Sequence, residues 1–381
     1  MRVLHVISDS NIGGAGVLLY NLLSAFPKGA VESFVALPAQ SALWGRLRTL
    51  DVPLLPLGHP CDRFSVGSIC EIARYIKEKK IDIVHANAAL CARVAGRACG
   101  ACVIHTRHCC FPPTGMQRWG ITRLCNRIVQ GFLSDRIIAT ASAARDNLLE
   151  LGIAEDKIAV VINGTRGIRA VTVEEVEELR KRYLLEETDF TVGICARLEA
   201  YKGHRAFLDA ARIVLERTRG QAVRFLIVGD GSERASLQAY AKALGIAYAV
   251  RFTGFVSDTA PYYQLMRINV NASNGTETSC LALSEGMSAS LPMIVSDFGG
   301  NRAMIGNSGA GLVILVNDAA ALANGILEIL NDPERESAMR TAARKRFEEC
   351  YTAERMANEV LSVYRTALAH KQRKKEGLEI R

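Results

Sequence analysis

Residues 275–302, GTETSCLALSEGMSASLPMIVSDFGGNR, carry two carboxylates eight residues apart, Glu277 and Glu285. Thr278-Ser279 follows the first, and a short apolar run, residues 280–283, leads toward the second and reads as the opening turns of a helix. With Thr278-Ser279 as the cap, the backbone N–H groups of Ser279, Cys280 and Leu281 point out of the helix start, where they and the helix dipole favour an anion such as phosphate. Eight residues advance a helix by about 12 Å, slightly more than two turns, so Glu285 lies on nearly the same side as the helix entrance. A ligand with a diphosphate at its middle then meets a carboxylate at each end, and carboxylates accept hydrogen bonds from the vicinal hydroxyls of a sugar or a ribose. Taken alone, the pair is equally a helix cap and a solvated glutamate.

The chain's 381 residues exceed what one hydrophobic core usually supports, so two domains are expected. Residues 1–165 alternate short apolar runs, at 3–7, 34–37, 53–57, 81–85, 103–106, 137–140 and 158–162, with helical patterns such as 66–79, 90–99 and 143–151. Strands separated by crossover helices predict a parallel sheet covered on both faces. After the first strand, Asn11-Ile12-Gly13-Gly14-Ala15-Gly16 is a glycine turn feeding a helix; such turns leave amides open to oxyanions or serve only to pack strand against helix. Residues 82–87 and 105–108 end two strands, where open α/β sheets bind ligands, which brings Arg107 and His108 into view. From Thr191 the alternation resumes, and Arg197 and Lys202 place a fork-shaped and a point-like cation at a strand's carboxyl end, suited to a diphosphate.

The spacing of Glu277 and Glu285, followed by Pro292-Met293-Ile294-Val295-Ser296 and Gly299-Gly300, resembles the donor-binding signature of glycosyltransferase family 4, a retaining group with the GT-B fold. The resemblance covers nearly the whole chain, densest over 190–302 and thinnest over 40–130. It implies an α/β protein with two facing Rossmann-like domains and parallel sheets: an acceptor-binding domain at 1–165, a nucleotide-sugar domain at 166–352, a helix at about 353–370 crossing back to the first domain, and a basic tail, 371–381. Gly13 and Gly14 match the family's Gly-Gly loop, and His108 the histidine after the fifth strand, near the transferred sugar. Arg197 and Lys202 match an Arg-Leu…Lys-Gly element on the phosphates, and Gly254 and Phe255 a loop flanking the base. Glu285 would hold the ribose and Glu277 the sugar hydroxyls, with the amides of Ser279, Cys280 and Leu281 on the diphosphate.

The implied reaction moves a sugar from a nucleotide diphosphate sugar, most commonly of uridine, to a hydroxyl of a glycan or glycolipid, with retained configuration. His108, Arg197, Lys202 and Glu277 would carry the catalysis, with no cofactor. No Asp-X-Asp motif is present, so no metal is expected; cations and amides would take its place. The chain departs from the family at Gly16-Val17, where Glu-Arg is common, at Thr165-Arg166 after the Asn-Gly hinge, at Arg267, where an aspartate is common, and at Ala303, where a glutamate is. Arg267 reads as a change in surface packing alone; Ala303 removes a polar group near the phosphate loop.

Composition bounds the rest. Hydrophobic residues at 49% and charged residues at 23% describe a folded protein, not a disordered one. Eleven scattered cysteines read as reduced thiols; the lone pair Cys99 and Cys102, and Cys109-Cys110 beside His108, lack a second ligand pair for zinc. The net charge of +8 suits anionic nucleotides and an anionic membrane face. Residues 111–132 interleave Met116, Trp119, Leu124, Ile128 and Phe132 with Arg118, Arg123 and Arg127, a basic amphipathic segment that suits a membrane surface, an amphiphilic acceptor, or simple packing on its own sheet. No apolar run reaches eighteen residues and the start turns polar after seven, so a cytoplasmic protein, at most peripheral at the inner face of the membrane, is expected. Two rivals remain: an isomerase of the same fold, of the nucleotide-sugar 2-epimerase type, and a non-catalytic nucleotide- or RNA-binding protein. Dispersed basic residues with no interleaved aromatic platform disfavour nucleic acid.

Overall fold

In the computed structural model, which describes residues 1–8, 13–61, 64–108, 120–218, 221–275 and 279–376, the apolar runs before residue 165 become parallel strands joined by helices. In order they are β1 (Arg2–Ile7), α1 (Gly14–Ala25), β2 (Glu32–Pro38), α2 (Leu43–Leu47), β3 (Leu54–Leu57), α3 (Val66–Glu78), β4 (Ile83–Asn87), α4 (Leu90–Ala98), β5 (Cys102–Arg107), α5 (Gly120–Leu133), β6 (Arg136–Ala139), α6 (Ser142–Glu150) and β7 (Ile158–Val160). The sheet order is β3-β2-β1-β4-β5-β6-β7, with Val3 opposite Ser33 on one side and Ile83 on the other. Val3, Leu4 and Val6 are all fully buried, because helices cover both faces of the sheet and leave no side for polar alternation.

A second unit repeats the plan over residues 165–352. It runs α7 (Val173–Tyr183), β8 (Phe190–Cys195), α8 (His204–Arg217), β9 (Val223–Val228), α9 (Arg234–Ala243), β10 (Val250–Phe252), α10 (Ala260–Gln264), β11 (Ile268–Asn271), α11 (Leu281–Ser288), β12 (Met293–Ser296), α12 (Asn301–Ile305), β13 (Gly311–Ile314), α13 (Ala319–Leu330) and α14 (Pro333–Cys350). Its order is β10-β9-β8-β11-β12-β13. In each sheet the strand order reverses once, between β1 and β4 and between β8 and β11, and open α/β sheets bind ligands at the carboxyl ends beside such a reversal.

The chain then returns to the first unit through α15 (Ala353–Lys375). Tyr364 reaches from α15 to His85 on β4: its hydroxyl lies 2.6 Å from His85 Nδ1, while His85 Nε2 is 2.6 Å from Thr106 Oγ1 on β5. The His5 ring lies beside them, 5.4 Å from the His85 centroid, and neither of its nitrogens has a hydrogen-bond partner among the described residues. The helix does not stop near residue 370 as the sequence suggested. Lysine, glutamine and arginine are good helix formers, their charge suits a helix C-terminus, and Lys371 Nζ donates to Ala101 O at the start of β5.

Arg267 also differs from its reading as surface packing. Its guanidinium grips both carboxylate oxygens of Glu336 on α14, and Arg340 Nε donates to the same Glu336 Oε1 at 3.0 Å. Burial disfavours the Glu336 carboxylate, and the two arginines more than offset that, so the group sits below its usual range. Truncating Arg267→Ala leaves a buried carboxylate with one partner and is expected to destabilise the second unit by about 2 kcal/mol. Chemical denaturation would show it as a lower midpoint for that unit; an unmoved midpoint would mean that Arg340 suffices.

Candidate active site

At the carboxyl edge of the second sheet, three loops are tied backbone to backbone. The turn after β8 is bonded to the turn after β9 through Leu198 N to Asp230 O (3.0 Å) and Glu233 N to Leu198 O (2.9 Å). The turn after β9 reaches the loop after β10 through a bridge between Gly229 and Gly254. Gly254 has φ +75, a left-handed backbone that favours glycine, and a Cβ there would displace the end of the Arg234 side chain, 2.8 Å away. Next to it Phe255 stands 72% exposed, an aromatic ring left in solvent at the edge of the site.

Arg197 and Lys202 belong to the turn after β8, and Tyr201 lies between them. Arg197 Nη2 donates to the Tyr201 hydroxyl, and Lys202 Nζ lies 5.4 Å from the centre of the Tyr201 ring. Tyr201 O in turn accepts from Asn274 N at 2.9 Å, tying this turn to the loop after β11. Gly203 follows with φ +74, and a Cβ there would lie 2.0 Å from Ala272 O; any other residue would push the two loops apart. The cations therefore sit beside the reversal between β8 and β11.

The entrance of α11 lies at the same edge, but its cap differs from the expected one. The N-cap is Cys280, through its backbone alone, with no side-chain cap bond. The Cys280 N–H donates to Met304 Sδ at 3.3 Å, and Asn271 Nδ2 donates to Cys280 Sγ at 3.0 Å. Cys280's amide is thus committed within the unit, and the amides that helix geometry leaves open are those of Leu281 and Ala282. Ser279 Oγ is buried with no hydrogen-bond partner among the described residues. Glu277 and Thr278 lie outside the described residues.

Glu285 sits on α11, with Oε2 accepting from Tyr263 Oη at 3.1 Å and from Thr259 Oγ1 at 3.3 Å, both on or beside α10. Burial pushes the Tyr263 hydroxyl well above its usual range, with Cys195 and Glu285 nearby adding to it, so it stays protonated and donates. The sequence assigned Arg197, Lys202, Gly254, Phe255, Leu281 and Glu285 to donor binding, and the structure puts them on the loops and on α11 at the carboxyl edge of the second sheet. It missed Tyr201, Thr259 and Tyr263, which position them; an aromatic flanked by both cations was the available sign for Tyr201.

In the first unit, Gly13 is the N-cap of α1 and Gly14 its first residue, beyond the end of β1. A Cβ at Gly14 would meet nothing within 4 Å, so packing does not demand glycine there. His108 follows β5, and its Nε2 donates to Asn87 Oδ1, 3.1 Å away, at the end of β4. Burial brings His108 down to about 4, so the ring is neutral. Asn87 Nδ2 is buried without a partner among the described residues. Asn87, Thr106, His108 and Asn163 face a cavity of about 30 Å³ roofed by α1 and α15. Asn87 was not among the residues singled out from sequence, although its place at a strand end was visible.

Two Rossmann-like units with parallel sheets, each with one reversal of strand order, and a C-terminal helix returning to the first unit make the GT-B fold. The chain belongs to glycosyltransferase family 4: the model described as Glycosyltransferase Family 4 matches residues 12–166, and Glycosyl transferases group 1 matches residues 175–346. The UDP-Gal:alpha-D-GlcNAc-diphosphoundecaprenol alpha-1,3-galactosyltransferase of Escherichia coli is 26% identical over 352 residues, 85% of this chain and 89% of that protein. The O-antigen chain mannosyltransferase C of Escherichia coli is 34% identical over 175 residues, 45% of each chain. Among solved structures, Anabaena HepE in complex with UDP has a TM-score of 0.81 at 18% identity, over 96% of this chain and 100% of that one, a likeness of fold. No helix among the described residues is long and apolar enough to cross a membrane.

Proposed function

We propose that this glycosyltransferase moves a sugar from a UDP-sugar to a hydroxyl of a lipid-linked glycan or growing polysaccharide, with retention and without a metal ion. The observation that carries the donor half is the gathering of Arg197, Lys202, the start of α11 and Glu285 at one sheet edge beside the reversal of strand order. Uridine is supported by the UDP-Gal donor in the name of one E. coli relative and by the UDP bound to HepE. The acceptor class is supported by the diphosphoundecaprenol and O-antigen substrates in the two relatives' names. Those relatives transfer different sugars, so the sugar itself stays open to measurement.

In this reading Glu285, oriented by Tyr263 and Thr259, accepts from the ribose hydroxyls, and Phe255 flanks the uracil. Arg197, Lys202 and the Leu281 and Ala282 amides hold the diphosphate. The bond from the anomeric carbon to the phosphate oxygen breaks, positive charge builds on the sugar, and negative charge builds on UDP where those groups wait. The acceptor oxygen then bonds to the anomeric carbon from the face UDP leaves, and its proton passes to the departing phosphate. Neither Glu277 nor Glu285 acts as a nucleophile; Glu277 holds sugar hydroxyls, and neutral His108, fixed by Asn87, is the first unit's contact with substrate.

The test is a panel of nucleotide sugars offered to the purified protein with and without acceptor, in the presence of a chelator. The expected result is turnover of a UDP-sugar, unaffected by the chelator, with an axial product from an axial donor. Turnover that needs a divalent ion would overturn the metal-free reading, inverted product the retaining one, and an epimerised sugar released without acceptor would make the protein an isomerase.

A further inference from the structure

α5 is built the wrong way round for a helix of a water-soluble domain. Helices normally bury their apolar stripe and wet their polar one. Here the polar side is bonded to the unit: Asn126 Nδ2 donates to Leu151 O at 2.8 Å, Arg123 Nη2 to Leu149 O at 3.0 Å, and Gln130 Oε1 accepts from Arg93. Leu124, Ile128, Val129 and Phe132 are 55%, 61%, 51% and 64% exposed. At about 100° per residue these four share one outward face some 140° wide.

The surroundings of this face are basic. Arg127, one position before Ile128, is exposed. At the C-terminal end of α5, Phe132 borders a groove of about 390 Å³ lined by five lysines and arginines, among them Arg97, Lys157 and Lys374, against the two carboxylates of Asp135 and Asp156. Arg97 sits 5.6 Å over the Phe132 ring, so apolar face and cationic groove meet at that residue. A second copy docked symmetrically on this face would set like charges against each other. An anionic bilayer surface offers acyl chains to the apolar residues and phosphates to the cations at one boundary.

We infer that the outward face of α5, with the groove at its end, docks on an anionic membrane surface. This deepens the lipid-linked acceptor reading above: the enzyme would work where such an acceptor is embedded. The full chain would be sedimented with vesicles of phosphatidylcholine alone and of phosphatidylcholine and phosphatidylglycerol in equal parts. The expected result is binding to the mixed vesicles at least about tenfold tighter than to the neutral ones, and lost in high salt. Ile128→Glu with Phe132→Glu lowers that binding by about tenfold or more, and Lys374→Glu narrows the preference for the anionic lipid. UDP binding by calorimetry stays the same in both variants, because none of these residues belongs to the donor site; wild-type protein that bound vesicles and no UDP would sink the proposed function and leave this inference standing. Equal binding to both vesicle types, binding to neither, or a dimer in solution that the double variant splits would overturn it.

Discussion

Lys202→Ala is expected to lower kcat/KM for donor turnover by about a hundredfold to a thousandfold, an effect of about 3–4 kcal/mol on the barrier. Lys202 lies beside Tyr201 at the carboxyl end of β8, fixed by a backbone turn that only Gly203 can complete. Its cation gains most from the leaving group as the bond to the sugar breaks, so the loss falls mainly on kcat. Glu285→Ala acts on binding instead. It removes the carboxylate that Tyr263 and Thr259 orient, and UDP affinity is expected to fall by about tenfold to a hundredfold. Tyr201→Phe removes only the hydroxyl that Arg197 grips and should cost less than either. Calorimetry with UDP and steady-state kinetics separate these effects. Wild-type activity in Lys202→Ala or in Glu285→Ala would remove that residue from the site.

Acid should unfold the first unit well before the second. Burial holds His5 and His105 at about 3 and His108 at about 4, and pushes His85 well below its ordinary value. A histidine whose folded value is depressed contributes fully above about 6.5, and that contribution is lost as pH falls toward the folded value. At pH 5 His5, His105 and His108 have each forfeited about 2 kcal/mol, so the three together amount to about 6 kcal/mol, on the scale of a whole domain's stability, and His85 acts in the same direction. The second unit has His204 at about 4 and no other histidine. Melts followed from pH 8 to pH 4 should resolve into two transitions, the lower one sliding down from about pH 6.5. His5→Phe, which replaces a ring with unpartnered nitrogens by an apolar one, should blunt that slide. A single transition unmoved between pH 7 and pH 5 would contradict the account.

Much of this molecule could be read from its residues, and the reasons are local. Apolar runs of four or five residues between helical patterns leave little choice but parallel sheets, and each strand of the first unit lies within two residues of its run. Arg197, Lys202 and Glu285 were legible because a strand end and a fixed spacing place them. The cap of α11 was not, because what claims the Cys280 amide is the sulfur of Met304, twenty-four positions away and apolar in any sequence reading. Arg267 looked like surface because its partner Glu336 lies sixty-nine positions on. Asn87 and His108 are twenty-one apart on neighbouring strands, a pairing that only strand order makes. α5 advertised its amphipathic pattern plainly, yet the pattern alone could not say which side faces inward.

The first unit is assembled from both ends of the chain, since α15 supplies Tyr364 to the rings of His5 and His85. During synthesis, residues 165–352 are a continuous stretch that can fold as soon as it leaves the ribosome, whereas the nascent first sheet must wait, incompletely covered, for the last helix to be made. Premature termination anywhere before α15 would therefore release a polypeptide with its N-terminal half uncapped, a natural client for chaperones and proteases.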